Sequence, residues 1–246
     1  MSGAAPVALV TGSSSGIGEA IARRLAEDGH RVVVNSSRSV EEGEKLAASL
    51  PDAVYVRADV SDGAEARELV SRAVEQYGRL DVLVNSAGRT RAIAHHDLEA
   101  ADPGVWRDIL DLNVIGTWQT TVAAMPHLTA SGAGAVVNVS SIAGSRTAGS
   151  SIPYAVSKAA VEHMTRLLAK AVGPAVRVNA VAPSLIETPW TADEPFFAPI
   201  AEYVRQNAPL RRVGTPEDVA TAVRHLVEAT YTTGQIVYVD GGCHLL

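Results

Sequence analysis

Short β-branched runs alternate with stretches of helical spacing along nearly the whole chain, and no other feature restricts the fold so strongly. The runs are VALVT, RVVVNS, AVYVRAD, LDVLVNS, GAVVNVSS, VRVNAVAP and GQIVYVDGG. Several are apolar almost throughout, as strands buried on both faces are. Between them, Ile17, Ile21 and Leu25 recur at four-residue spacing, with Gly29 placed to end that helix. Leu69, Val70, Ala73, Val74 and Tyr77 form a second stripe, and Asp62 with Glu65 resembles a capping box at its start. Asp102-Pro103 opens a third helix, and Pro153 a fourth that runs through YAVSKAAVEHMTRLLAKAVG. Strand, helix, strand, repeated, predicts a parallel sheet covered on both faces. The least regular stretch, about 184–210, is rich in proline and aromatic residues and reads as an excursion from the sheet, a lid. We expect one domain over 1–246.

Composition narrows the function classes. An apolar fraction of 47% is ample for a large core in 246 residues. The net charge of −6 comes without a basic block, which argues against nucleic acid or an anionic membrane as partner. Cys243 is the single cysteine, so no intramolecular disulfide forms. The N-terminal stretch has no basic segment of the signal-peptide kind, and apolar runs fall short of the ~20 residues that span a bilayer. A soluble, cytoplasmic protein is expected.

The first strand opens into a loop with almost no side chain, TGSSSGIG. Gly12, Gly16 and Gly18 follow G-x-x-x-G-x-G rather than the commoner G-x-G-x-x-G, but the physics is shared. Small residues let a pyrophosphate reach the backbone, and the helix start offers N–H groups and positive potential. The hydroxyls of Ser13, Ser14 and Ser15 can add hydrogen bonds. A plain tight turn would need the same glycines; the position after an apolar strand favours phosphate binding. Strand two ends Asn35, Ser36, Ser37, Arg38. NAD sites usually carry an acid here for the ribose 2′-hydroxyl. A cation and hydroxyls instead favour the 2′-phosphate of NADP(H) over NAD(H).

Ser141 ends the fifth strand, and Tyr154 and Lys158 stand four apart, on one helix face. A phenol of pKa near 10 needs a shift of about 2–3 units to exchange protons near neutrality, and a neighbouring ammonium favours that shift. A bare Y-x-x-x-K is common on exposed helices, so the pair means little alone.

Taken jointly, TGSSSGIG, Asp59-Val60, NSAG (85–88), Asn113 in LNVIG, Ser141, YAVSK and PSLIET (183–188) resemble the short-chain dehydrogenase/reductase family over nearly the full chain. The resemblance implies a doubly wound sheet of order 3-2-1-4-5-6-7 and a catalytic tetrad of Asn113, Ser141, Tyr154 and Lys158. Tyr154 would exchange a proton with the substrate oxygen, Ser141 would bind that oxygen, Lys158 would lower the tyrosine pKa and hold the nicotinamide ribose, and Asn113 would support a relay water. The cofactor would contact Gly12, Ser14, Ser15, Gly16, Ile17 and Gly18, then Ser37 and Arg38. Asp59 would take the adenine amino group and Val60 flank the ring, with Asn85, Ala87 and Gly88 alongside. Pro183, Ile186 and Thr188 would complete the site, the last two at the carboxamide. A homotetramer, or else a dimer, is the implied assembly.

The chain departs from the family where Ser86 replaces the usual second Asn and Ser184 the usual Gly. Within the family, fatty-acid-type 3-oxoacyl reductases resemble the chain closely in length and layout. The positions where those enzymes carry basic residues for a carrier protein, around Thr129, Ala130 and Pro174, are not basic here. Tight carrier docking is therefore not expected, while a 3-oxoacyl thioester or small ketone stays open as substrate. A dinucleotide sensor without turnover is the alternative, and a dehydratase or epimerase a third. Adjacent His95 and His96 read as loop residues rather than metal ligands. Arg89 and Arg91 either meet an anionic substrate group or are surface charge. Trp190, Phe196 and Phe197 either line a pocket or pack under the lid.

Overall fold

A computed structural model describes residues 5–192 and 195–246. Seven strands form one parallel sheet: β1 (Val7–Val10), β2 (Arg31–Ser36), β3 (Ala53–Arg57), β4 (Val82–Asn85), β5 (Gly134–Val139), β6 (Val176–Pro183) and β7 (Ile236–Val239). Their order is β3-β2-β1-β4-β5-β6-β7, as expected. Every pairing is parallel; in register, Leu9 lies beside Val33 on one side and Leu83 on the other. The helices are α1 (Gly16–Glu27), α2 (Val40–Ser49), α3 (Gly63–Tyr77), α4 (Pro103–Leu110), α5 (Thr117–Ala130), α6 (Ile152–Val172), α7 (Pro189–Ala192), α8 (Ala198–Asn207) and α9 (Pro216–Glu228).

The apolar strands are explained by burial on both faces. In β1 and β2 alternate residues go to opposite sides. Ala8, Val10, Val32 and Val34 meet Ile21 and Leu25 of α1, Leu46 of α2 and Val223 and Leu226 of α9. Val7, Leu9 and Val33 meet Leu69 and Val70 of α3 and Leu128 of α5. Each fully buried Val, Leu or Ile among these contributes about 1.5–3 kcal/mol.

Helix ends follow local chemistry. Asp62 accepts from the N–H groups of Ala64 and Glu65, and Asp102 from those of Gly104 and Val105. The capping box expected at Asp62 is incomplete. The Glu65 carboxylate accepts from the Asp59 N–H at 2.7 Å instead of the Asp62 N–H, because the chain turns at Asp59. Helix α6 begins at Ile152, one residue before the expected proline, with Ser151 as its cap. The stretch 184–210 is more regular than expected: among its described residues it holds α7, a 3₁₀ turn (Pro195–Phe197) and α8. No helix among the described residues is long and apolar enough to cross a membrane.

Candidate active site

The order of the sheet sets the place of the site. Chain order reverses between β1 and β4, and loops after those strands part, leaving a crevice beyond their carboxyl ends. A cavity of about 840 Å³ occupies it. It is lined at one end by the glycine loop, Ser37, Arg38, Asp59 and Val60, and at the other by Ser141, Tyr154, Lys158 and Trp190.

The loop after β1 is held from below. Thr11 Oγ1 accepts from the N–H groups of Ser86 and Ala87, both at 3.1 Å, tying this loop to the one after β4. Gly12 has φ +61°, and a Cβ there would stand 2.7 Å from Ala87 Cα, so only glycine fits. Gly18 packs with no room for a Cβ beside the Gly12 carbonyl oxygen. Ser14, Ser15, Gly16, Ile17 and Gly18 all line the cavity. Ser13 does not offer its hydroxyl to a ligand. It is buried, donates to the Val10 carbonyl at 2.7 Å and accepts from Asn35 N–H at 3.0 Å. Asn35 in turn accepts from Gly12 N–H and donates to the carbonyls of Val56 and Ala58.

At the catalytic end, Ser141 caps the 3₁₀ turn Ile142–Gly144, and its hydroxyl bonds Tyr154. Lys158 is buried; its Nζ donates to the Val139 carbonyl at 2.8 Å and lies 5.6 Å from the centre of the Tyr154 ring. Burial pushes the Tyr154 phenol up to about 12, outweighing the Ser141 hydrogen bond. Burial likewise brings Lys158 down to about 8. Of the influences within the chain, burial is the largest on the phenol. The Lys158 ammonium donates to the Val139 carbonyl. Near neutrality the phenol keeps its proton.

Asn113 lies in a π-helical turn (Asp111–Gly116) between α4 and α5, and does not line the cavity. Its Nδ2 donates to the Arg89 carbonyl and to Ser157 Oγ, each at 3.0 Å, and its Oδ1 accepts from Arg89 N–H at 2.8 Å. The Ser157 hydroxyl donates to the Tyr154 carbonyl, so Asn113 braces the helix that carries Tyr154 and Lys158. Asn85 is placed differently from the reading as a cofactor contact. Its side chain is buried beneath the cavity and donates to Thr121 Oγ1 and Asn138 Oδ1. Ala87, Gly88, Pro183, Ile186 and Thr188 do line the cavity. So do His95, Trp190, Phe196 and Phe197, with the Trp190 ring edge-on to Tyr154 at 6.4 Å between centres.

Comparison with known proteins agrees with this arrangement. Residues 12–244 match the family model described as "Enoyl-(Acyl carrier protein) reductase". A Streptomyces violaceoruber protein, "Granaticin polyketide synthase putative ketoacyl reductase 2", is 76% identical over 98% of this chain and 97% of its own length. The chain belongs to the short-chain dehydrogenase/reductase family. A 3-oxoacyl-[acyl-carrier-protein] reductase of Thermotoga maritima is 38% identical over 96% of each chain. The ligand-free aldohexose dehydrogenase of Thermoplasma acidophilum superposes with a TM-score of 0.87 at 30% identity, covering 99% of this chain and 95% of that one. The protein is thus an oxidoreductase of this family, whose members work with a nicotinamide dinucleotide.

The residues present fit such a dinucleotide. Ser15 makes no side-chain cap bond on α1, and α2, α5 and α8 likewise take none; the first turn of α1 lines the cavity with the glycine loop. An anion at that end would receive the helix potential unopposed. Asp59 is held as an acceptor. Burial alone would raise it, but Ser61, donating from Oγ at 2.6 Å and from N–H at 3.0 Å, and the nearby Arg89 and Arg38 keep its carboxyl below the usual range. Sequence reasoning missed the bracing contacts of Ser157, Thr121 and Asn138. These cross between elements far apart in the chain, and no local spacing signals them.

Proposed function

We propose that the chain reduces the ketone of a 3-oxoacyl thioester or a related small ketone, with NADPH as hydride source. The observation that carries this reading is the Tyr154 phenol beside Ser141, lining the same cavity as the start of α1. The glycine loop, Asp59 and Lys158 would hold the dinucleotide, whose reduced nicotinamide would supply hydride for the carbonyl carbon. Ser141 holds the carbonyl oxygen, and Tyr154 gives it the proton as charge develops there. Lys158, which lines the same cavity, would hold the nicotinamide ribose and steady the phenolate left behind. Two relatives support the substrate class: the Streptomyces and Thermotoga proteins are named as ketoacyl and 3-oxoacyl reductases.

The preference for NADPH rests on the end of β2. No carboxylate stands there, and Ser37 and Arg38 line the cavity. Trp190, Phe196 and Phe197 line the cavity and suit the apolar part of a ketone substrate. A homotetramer suits the half-exposed Ile115, Trp118 and Val122, which share a face near α5, and Val156 and Leu167 on α6. The test is NADPH oxidation across short 3-oxoacyl thioesters and cyclic ketones, with NADH in parallel. Turnover with at least one ketone and preference for NADPH are expected. Tight NADPH binding with no turnover on any of them would favour the sensor alternative.

A further inference from the structure

Residues 89–91 follow the NSAG loop, and their sequence left open whether the two arginines meet a substrate or solvent. The structure separates them. Thr90 turns toward the substrate side, its hydroxyl 2.6 Å from Ser150 Oγ. Arg91 is exposed and acts on Asp102, at the start of α4. Arg89 differs from Arg91 in lining the cavity, together with Asp59 and Arg38, and its field, with that of Arg38, reaches the Asp59 carboxylate.

Two features make the Arg89 guanidinium suited to a ligand. Its backbone is fixed on both sides, since Asn113 accepts from its N–H and donates to its carbonyl. Its side chain is not otherwise engaged. Among the described residues its one ion pair is with Asp108 at 3.9 Å, and that carboxylate is 74% exposed. An ion pair of that length in solvent holds a guanidinium weakly. The planar fork is thereby anchored at its root, only weakly paired at its tip, and part of the cavity wall that Asp59 and Arg38 share. A guanidinium there can stack on a purine face or donate to ribose and phosphate oxygens.

We propose that Arg89 is a binding residue for the adenosine half of the dinucleotide, rather than for the substrate. The inference depends on the nucleotide site alone and stands whether or not 3-oxoacyl thioesters are the substrate. The experiment is equilibrium titration of the full-length protein with NADPH, NADH and ADP-ribose. Wild type, Arg89→Leu, Arg89→Lys and Arg91→Leu are compared after thermal unfolding has checked that each is folded. Arg89→Leu is expected to weaken all three ligands about tenfold, the loss of one charge-assisted or stacked contact. Arg89→Lys should recover only part of that, because an ammonium lacks the planar fork. Arg91→Leu should bind like wild type. Unchanged ADP-ribose affinity in Arg89→Leu would overturn the proposal. So would an equal loss in Arg91→Leu, which would reduce the effect to general charge.

Discussion

At the scale of single residues, the site combines a buried phenol and a buried ammonium, and burial acts on them in opposite directions. Lys158 is brought down from 10.5 to about 8 by desolvation. Between those values the unfolded chain binds more protons than the folded one, so this residue makes stability rise with pH from about 8 to 10.5. Below 8 the full cost of burying the ammonium is present. Tyr154 works the other way: with its pKa raised to about 12, the folded chain keeps a proton that the unfolded chain loses, and stability falls from pH 10 upward. Lys158→Met removes the charge while keeping the stem. It should raise the thermal midpoint at pH 7 by a few degrees, on the order of 3 kcal/mol less the lost bond to Val139, and abolish most turnover. A lower midpoint in calorimetry would contradict this account of the lysine.

At the scale of elements, helix α9 gives a separable test. Thr215 and Asp218 form a complete capping box there, and Arg212 reaches Asp218 with two nitrogens. The Arg212 guanidinium, with the Thr215 contacts, holds Asp218 at about 2. This contribution is present above the ordinary value near 3.8 and is lost as pH falls toward 2. Solvent reaches the pair, so about 1 kcal/mol is expected rather than the full shift. Asp218→Asn should lower the urea midpoint at pH 6 and leave it nearly unchanged at pH 2; an equal loss at both would assign the effect to packing. Thr215→Ala should cost about 1 kcal/mol at either pH.

The elements also show what a sequence can reveal. All seven strands were legible: β1, β4 and β5 as runs buried throughout, and the edge strands β3 and β7, which are only partly buried, from their β-branched residues. Tyr154, Lys158 and the glycine loop were legible because their chemistry depends on local spacing along one helix or turn. The π-helical turn at Asn113 was not, since nothing in LNVIG distinguishes it from ordinary helix. The burial of Asn85, the inward turn of Ser13 and the separation of Arg89 from Arg91 each depend on partners twenty or more residues away. So does the balance at Tyr154, where desolvation by the whole fold outweighs the Ser141 hydrogen bond.

At the scale of the whole molecule, one crevice brings the start of α1 and the start of α6 to a shared cavity, and the exposed apolar faces lie on α5 and α6 behind it. If those faces join subunits, Trp118→Glu should shift the mass measured by light scattering from tetramer toward smaller species; an unchanged mass would remove that face from the assembly. The central claim is that the crevice joins a nucleotide to a single proton donor. It is tested most directly by comparing wild type and Tyr154→Phe in NADPH titration and in NADPH oxidation with a good ketone substrate. The account predicts affinity within about twofold of wild type and turnover lower by about 10²–10⁴, the usual range for removing a general acid. Wild-type turnover in Tyr154→Phe would contradict it.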